Sequence, residues 1–117
     1  MKIFFKSVRF AVQGLRWALQ GRNFRIQCVV AFFVVVFGIT VGLGAFEWVI
    51  ILLLIGLVLS METMNSAIEN LVNMISPEYH PLAGRIKDLA AGAVLIVAIV
   101  AAVIGIIIFS KYVMSFS

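Results

Sequence analysis

The sequence predicts an all-α membrane protein with an N-terminal amphipathic surface helix followed by three transmembrane helices. Hydrophobic residues make up 64% of the 117 residues and charged residues only 12%, which is more apolar surface than a soluble domain of this size can bury. Uncharged stretches at 26–46 and 89–109 are each long enough to cross a hydrocarbon core of about 30 Å. A third apolar run begins at Trp48. We therefore expect residues 1–117 to form one integral membrane domain.

Residues 2–20 are predicted to form a helix that lies in the bilayer interface. Lysine, arginine and glutamine side chains recur there at helical spacing, with phenylalanine, leucine, valine and tryptophan side chains between them. This pattern is typical of an interfacial amphipathic helix. The charges also interrupt the apolar run, which argues against a secretory signal peptide. Such a helix is either a plain surface anchor or a cover over an active site.

The three membrane spans follow in order. The first is predicted over residues 26–46, and a turn around Gly42 and Glu47 leads to the second over residues 48–75. The second span is longer than one membrane crossing, so its last part should form a cytoplasmic extension. Prolines stop it and start the third span, predicted over residues 82–112.

The basic residues predict the orientation of these spans. Eight of the nine lysine and arginine residues lie in the N-terminal segment or around 85–87, and Lys111 is the exception. Three spans place those two regions on the same side, which the positive-inside rule assigns to the cytoplasm. The N-terminus and any site near residues 85–87 should then be cytoplasmic. The basic residues form no dense tract, so no nucleic-acid partner is expected.

Polar side chains form a stripe on the second half of the second span. Glu62, Asn65, Ser66 and Glu69 stand at i, i+3, i+4 and i+7, which is one face of a helix. A carboxylate at the centre of a membrane helix costs roughly 2.5–3.5 kcal/mol on insertion scales, and less near the interface. Because span length does not require this cost, the stripe favours a functional site over a merely structural one.

These residue types fit phosphoryl transfer at the membrane boundary. Glu62, the deeper carboxylate, can act as general base towards a lipid hydroxyl. Glu69, nearer to water, can hold Mg²⁺ together with substrate phosphates, and Asn65 can orient either group. Downstream, Lys87 offers a compact charge to phosphate oxygens and the 79–80 pair offers flat faces to a purine ring. The sequence contains no P-loop and no protein-kinase motif.

Several segments in and after the stripe match one known pattern. They read Glu-Thr-Met-Asn-Ser-Ala-Ile-Glu at 62–69, Glu-Tyr-His-Pro-Leu-Ala at 78–83, Lys-Asp at 87–88 and Ala-Ala-Gly-Ala-Val at 90–94. Together they resemble the prokaryotic diacylglycerol kinase family, which includes the undecaprenol kinases of Gram-positive bacteria. The resemblance extends to Gly-Leu-Arg at 14–16, Arg-Asn-Phe-Arg at 22–25 and Glu-Trp at 47–48, and so covers nearly the whole chain.

The resemblance implies an ATP- and Mg²⁺-dependent kinase of a membrane lipid alcohol, either undecaprenol or diacylglycerol. It also implies a homotrimer of the bacterial inner (cytoplasmic) membrane, with active sites between subunits at the membrane–cytosol boundary. By motif, Glu62 matches the catalytic base, Asn65 a supporting catalytic residue and Glu69 a magnesium ligand. The ATP-binding positions are matched by Glu69, Glu78, Tyr79, His80, Lys87 and Asp88, and the lipid substrate is expected at Glu62, Arg16 and Trp17.

One position departs from the family pattern in a way that matters. Many members carry a glutamate, the other magnesium ligand, immediately before Arg-Asn-Phe, whereas this chain has Gly21, preceded by Gln20. Either the metal is held by Glu69, phosphates and water, or Gln20 substitutes weakly, or turnover is reduced. Asn73 also stands where an aspartate is common. The alternatives to an active kinase are a weakened homologue with a scaffold role and a small proton-coupled transporter with Glu62 as its relay.

Overall fold

The structure, a computed structural model, describes residues 1–115 and places four α-helices among them. Helices α2, α3 and α4 are each long and apolar enough to cross a membrane, and the shorter α1 precedes them. The predicted fold class is confirmed: the chain is an all-α, multi-pass membrane protein with an additional N-terminal helix. The helices are α1 (Lys2–Ala18), α2 (Arg22–Val41), α3 (Ala45–Ile75) and α4 (Pro81–Ser115).

Helix α3 is the central element. Helix α4 packs along it most extensively, α2 packs against it less, and α1 touches it. The described chain is a flat slab of 55 × 42 × 20 Å, about two helix diameters thick. Its buried apolar cluster is small and centres on Leu43, Ile51 and Ile108. Most other large apolar side chains therefore face outward, as a hydrocarbon environment permits.

Glycine residues set the ends of α2, and the helix differs in extent from the predicted span. Helix α2 begins at Arg22, four residues before the expected start, because Gly21 has the extended backbone of an N-cap. It ends at Val41, five residues before the expected end, because Gly42 adopts a left-handed φ of 76°. The uncharged stretch therefore does not coincide with the helix, whose ends are marked by the glycines.

A polar cluster joins the start of α3 to the end of α4. Glu47 lies in the first turn of α3, and its Oε1 accepts a hydrogen bond of 3.1 Å from the backbone N–H of Gly44. The Nζ of Lys111 donates to Glu47 Oε2 at 2.8 Å, and the hydroxyl of Tyr112 donates to Glu47 Oε1. Lys111, the exception in the charge pattern, is therefore the ion-pair partner of Glu47 at the end of the bundle away from residues 85–87.

Gly38 provides the first testable prediction, because α2 contacts α3 closely there. A Cβ added at Gly38 would lie 2.8 Å from Leu43 Cδ1 and 2.9 Å from Trp48 Cη2. We expect Gly38→Ala to lower the free energy of unfolding by about 1–3 kcal/mol through overpacking, measured by thermal unfolding in detergent. Gly56→Ala is the control, since its Cβ would meet nothing within 4 Å. Equal melting temperatures for the two variants would contradict this account of the contact.

Candidate active site

Glu62 is buried in the middle of α3, with 5% of its surface exposed. The side-chain Nε2 of Gln27, on α2, donates a hydrogen bond of 3.3 Å to Glu62 Oε2. A buried carboxylate in an apolar span is costly unless it is hydrogen-bonded, so this bond from the neighbouring helix supports it. Within residues 1–115 no hydrogen bond reaches Glu62 Oε1, which is therefore available to a substrate.

Asn65 and Glu69 form an adjoining polar pair on the same face of α3. Asn65 is buried, and its Nδ2 donates to Glu69 Oε1 at 3.3 Å, as the i, i+4 spacing allows. The Oδ1 of Asn65 is buried and has no hydrogen-bond partner in the described part of the chain. Carboxylate and amide oxygens are the ligands that Mg²⁺ prefers. The donor set of this pair therefore fits a magnesium ion, with one amide oxygen left without any other partner.

Few further metal ligands lie near this pair. Among residues 1–115 there is no group of three or more histidine, cysteine, aspartate or glutamate side chains that could hold a metal ion. A magnesium ion at Glu69 and Asn65 would then need substrate phosphates or water to complete its shell, as is common for Mg²⁺. The structure therefore provides part of a magnesium site in one chain rather than a complete cage.

The loop between α3 and α4 carries three of the predicted nucleotide-binding residues. The hydroxyl of Ser76 donates to the backbone carbonyl of Glu78 at 3.1 Å, and His80 Nδ1 accepts the backbone N–H of Leu82 at 3.1 Å. Tyr79 is 90% exposed. The loop is thus ordered by its own short-range bonds, while the side chains of residues 78–80 remain exposed and do not contact Glu62.

Lys87 is held against the last turns of α3. Its Nζ donates a hydrogen bond to Oδ1 of Asn73, a pairing that the sequence analysis did not identify. Asp88 is exposed. Within the described chain, Glu47 and Lys111 form the one ion pair, so Lys87 and Asp88 are not paired with each other. The structure therefore bonds Lys87 to α3 and leaves Asp88 exposed.

The two predicted lipid contacts on α1 stay outside this network. Trp17 is 61% exposed and Arg16 is also exposed. Helix α1 touches α3, but no hydrogen bond or ion pair of the described residues joins Arg16 to Glu62. The apolar side of α1 is left unpacked by its own chain, because Ala18 is the one buried residue of that helix. Such a side suits contact with lipid.

An apolar groove of about 700 Å³ runs between α2, α3 and α4. Among the described residues that line it, Gln27 alone carries a polar side chain. Gln27 was not among the predicted site residues, although an isolated amide inside the uncharged stretch 26–46 was a usable signal. The apolar lining includes Val30, Val34, Leu54, Val58, Ala101 and Phe109.

Comparison with known proteins assigns this arrangement to a family. The sequence model of the family described as prokaryotic diacylglycerol kinase matches residues 9–109. The chain belongs to the prokaryotic diacylglycerol kinase family. The matched range contains every candidate site residue from Arg16 to Asp88, and so the family resemblance of the motifs is confirmed.

Relatives of the diacylglycerol kinase family match over most of their length. The chain is 44% identical to the undecaprenol kinase of Bacillus subtilis (strain 168) over 108 residues, covering 91% of this chain and 87% of the relative. It is 37% identical to the diacylglycerol kinase of Escherichia coli (strain K12) over 99 residues, covering 84% and 81%. The diacylglycerol kinase of Haemophilus influenzae is 30% identical over 106 residues, covering 88% and 90%.

Proposed function

We propose that this protein catalyses the ATP- and Mg²⁺-dependent phosphorylation of a membrane lipid alcohol at the membrane–cytosol boundary. The observation that carries the proposal is Glu62, a buried carboxylate with one oxygen free, followed one turn later by the Asn65–Glu69 pair. The names of the similar proteins support it, since undecaprenol and diacylglycerol each offer a hydroxyl to a kinase. The names of these two relatives also favour undecaprenol or diacylglycerol as the substrate.

The proposed step needs one proton acceptor and close positioning. Glu62 Oε1 accepts the proton of the lipid hydroxyl. The hydroxyl oxygen forms a bond to the γ-phosphorus of ATP, and the bond from that phosphorus to the bridging oxygen breaks, so that ADP leaves. Glu62 then releases its proton to water. Little covalent chemistry falls to the protein, and positioning with charge neutralisation supplies most of the rate.

The remaining residues have proposed roles around the phosphates and the adenine. Glu69 and Asn65 would hold Mg²⁺, which neutralises phosphate charge when bound. The ammonium of Lys87 has three N–H donors, so it can keep its bond to Asn73 and still bind a phosphate oxygen. Tyr79 and His80 expose rings for the purine, and polar contacts with the nucleotide are assigned to Glu78 and Asp88.

The proposed setting is the bacterial inner membrane, with the N-terminus and the active site on the cytoplasmic side. It is supported by the eight basic residues on that side and by the need for ATP. Arg16 and Trp17 would contact the lipid substrate from α1. We also propose a homotrimer, as the family resemblance implies, and the partial magnesium site of one chain supports a site shared between subunits.

The experiment that tests this function measures lipid phosphorylation from radiolabelled ATP with Mg²⁺ in mixed micelles. Undecaprenol and a short-chain diacylglycerol are offered side by side, and the ratio of products assigns the substrate. ATP–Mg²⁺ should also raise the melting temperature, because a ligand that binds the native state stabilises it. Absence of label on both lipids would overturn the proposed substrates. Absence of the melting shift as well would overturn the kinase.

Gly21 provides a prediction about the metal. Its φ of −77° is ordinary, and an added Cβ would lie 3.3 Å from the carbonyl oxygen of Ala18, so a side chain fits after a small shift. We expect Gly21→Glu to lower, several-fold, the Mg²⁺ concentration that gives half-maximal phosphorylation, because a second carboxylate adds a ligand. Gly21→Gln is the matched uncharged control. Identical Mg²⁺ dependence in both variants would show that position 21 does not face the metal.

A further inference from the structure

Gln27 is a polar side chain inside a membrane-spanning helix, and the proposed function so far gives it no role. Its Nε2 bonds to Glu62 Oε2 at 3.3 Å across two helices. Its Oε1 is buried and has no hydrogen-bond partner in the described part of the chain. Around it, the groove between α2, α3 and α4 is lined by apolar side chains, so none of them replaces this amide as a partner of Glu62.

Stability alone does not explain Gln27. A buried amide oxygen without a partner is unfavourable, and polar side chains within membrane spans are costly and for that reason usually functional. An apolar side chain of the same length would fill the same space without that cost, at the expense of the one hydrogen bond to Glu62 Oε2. The bond that Gln27 does make goes to the carboxylate that is the proposed base. This bond is therefore expected to contribute to turnover more than to folding stability.

We infer that Gln27 is a positioning residue for lipid-alcohol phosphorylation, an inference that rests on the proposed function. The amide can approach the carboxylate only with its N–H group, because its oxygen would repel Glu62. The bond to Oε2 fixes the rotation of the Glu62 side chain. That rotation leaves Oε1 for the hydroxyl proton, and so Gln27 determines which oxygen of the base meets the substrate.

Gln27→Met tests this role, since methionine has the same length and no polar atom. At saturating lipid and ATP we expect kcat to fall about 10- to 100-fold, because a misplaced base loses the aligned geometry. The KM for ATP–Mg²⁺ and the melting shift that ATP–Mg²⁺ causes should stay within about two-fold of wild type, since Gln27 does not contact the nucleotide site. The melting temperature of the free protein should fall modestly, because Glu62 Oε2 loses its hydrogen bond, whereas a purely structural residue would lower it without a selective loss of kcat.

Two further variants complete the test. Gln27→Glu keeps the shape but removes the donor and sets a second carboxyl beside Glu62, so we expect a larger fall in kcat than in Gln27→Met. Thr40→Val is the control on the same helix, 13 positions away, because its hydroxyl bonds only to the carbonyl of Val36. It should keep the wild-type kcat.

The outcomes separate this inference from the function on which it rests. An active wild-type protein with a selective kcat loss in Gln27→Met supports the positioning role. An active wild-type protein whose Gln27→Met variant keeps its kcat, or loses only melting temperature, would overturn the role of Gln27 and leave the kinase intact. A wild-type protein that phosphorylates no lipid alcohol would overturn the proposed function and this role together.

Discussion

Glu62→Gln is expected to lower lipid phosphorylation by about 10²–10⁴-fold, the contribution typical of a general base. Glutamine keeps the size of the side chain, and its carbonyl oxygen can still accept the hydrogen bond from Gln27, so the packing of α2 on α3 should persist. What is lost is the carboxylate that takes the hydroxyl proton. The measurement is the initial rate of labelled lipid formation at saturating ATP–Mg²⁺ and lipid.

Nucleotide binding distinguishes the loss of the base from a general loss of folded protein. ATP–Mg²⁺ should raise the melting temperature of Glu62→Gln as much as that of wild type, because Glu62 is assigned neither to the metal nor to the phosphates. Glu47→Gln is the control, because it makes the same chemical change near the start of α3, where the carboxylate accepts a hydrogen bond from Lys111. The turnover of this variant, per molecule of folded protein, should equal that of wild type. Loss of both nucleotide binding and turnover in a folded Glu62→Gln protein would argue against Glu62 as the base.

Glu69→Gln is expected to have the second-largest effect, through the metal. It removes the carboxylate of the Asn65–Glu69 pair, so the Mg²⁺ concentration for half-maximal activity should rise by about 10- to 100-fold. The melting shift caused by ATP–Mg²⁺ should shrink in parallel, whereas the shift caused by ATP with a chelator should not change. This second readout does not depend on turnover.

The control for Glu69→Gln is Asn70→Ala, at the next position of the same helix. Asn70 is exposed and has no assigned role, so this change should leave the Mg²⁺ dependence as in wild type. If Glu69→Gln lowers the maximal rate at every Mg²⁺ concentration without shifting the midpoint, Glu69 acts on the reaction by some route other than metal binding.

The sequence was sufficient for features that depend on a single helix. Glu62, Asn65 and Glu69 follow helical spacing on an uninterrupted helix, and so their common face and the i, i+4 bond of Asn65 to Glu69 could be expected. The order of the surface helix and three spans likewise followed from apolar length and charge. A relay role for Glu62 in a transporter was the alternative that the stripe left open, and the family assignment favours the kinase.

Contacts between helices could not be read from the sequence. The bond of Gln27 to Glu62 and that of Lys87 to Asn73 each depend on how one helix is rotated against another, and spacing along one helix does not determine that rotation. Lys111 is a third case, since its charge looked exceptional until α4 placed it beside Glu47. In each pair the sequence showed polar residues in apolar surroundings without showing which residue would be the partner.

The length of α3 has a consequence for the membrane in which the protein works. Glu62 lies 14 positions after Trp48 on one continuous helix, about 21 Å along its axis, and the polar Glu47–Lys111–Tyr112 cluster lies at the start of that helix. The depth of Glu62 is therefore measured from the leaflet that holds this cluster. In a thicker bilayer Glu62 would lie deeper in the hydrocarbon core, and in a thinner bilayer it would lie closer to water, unless the helices tilt to compensate. Bilayer thickness is therefore expected to affect the rate of a reaction at Glu62.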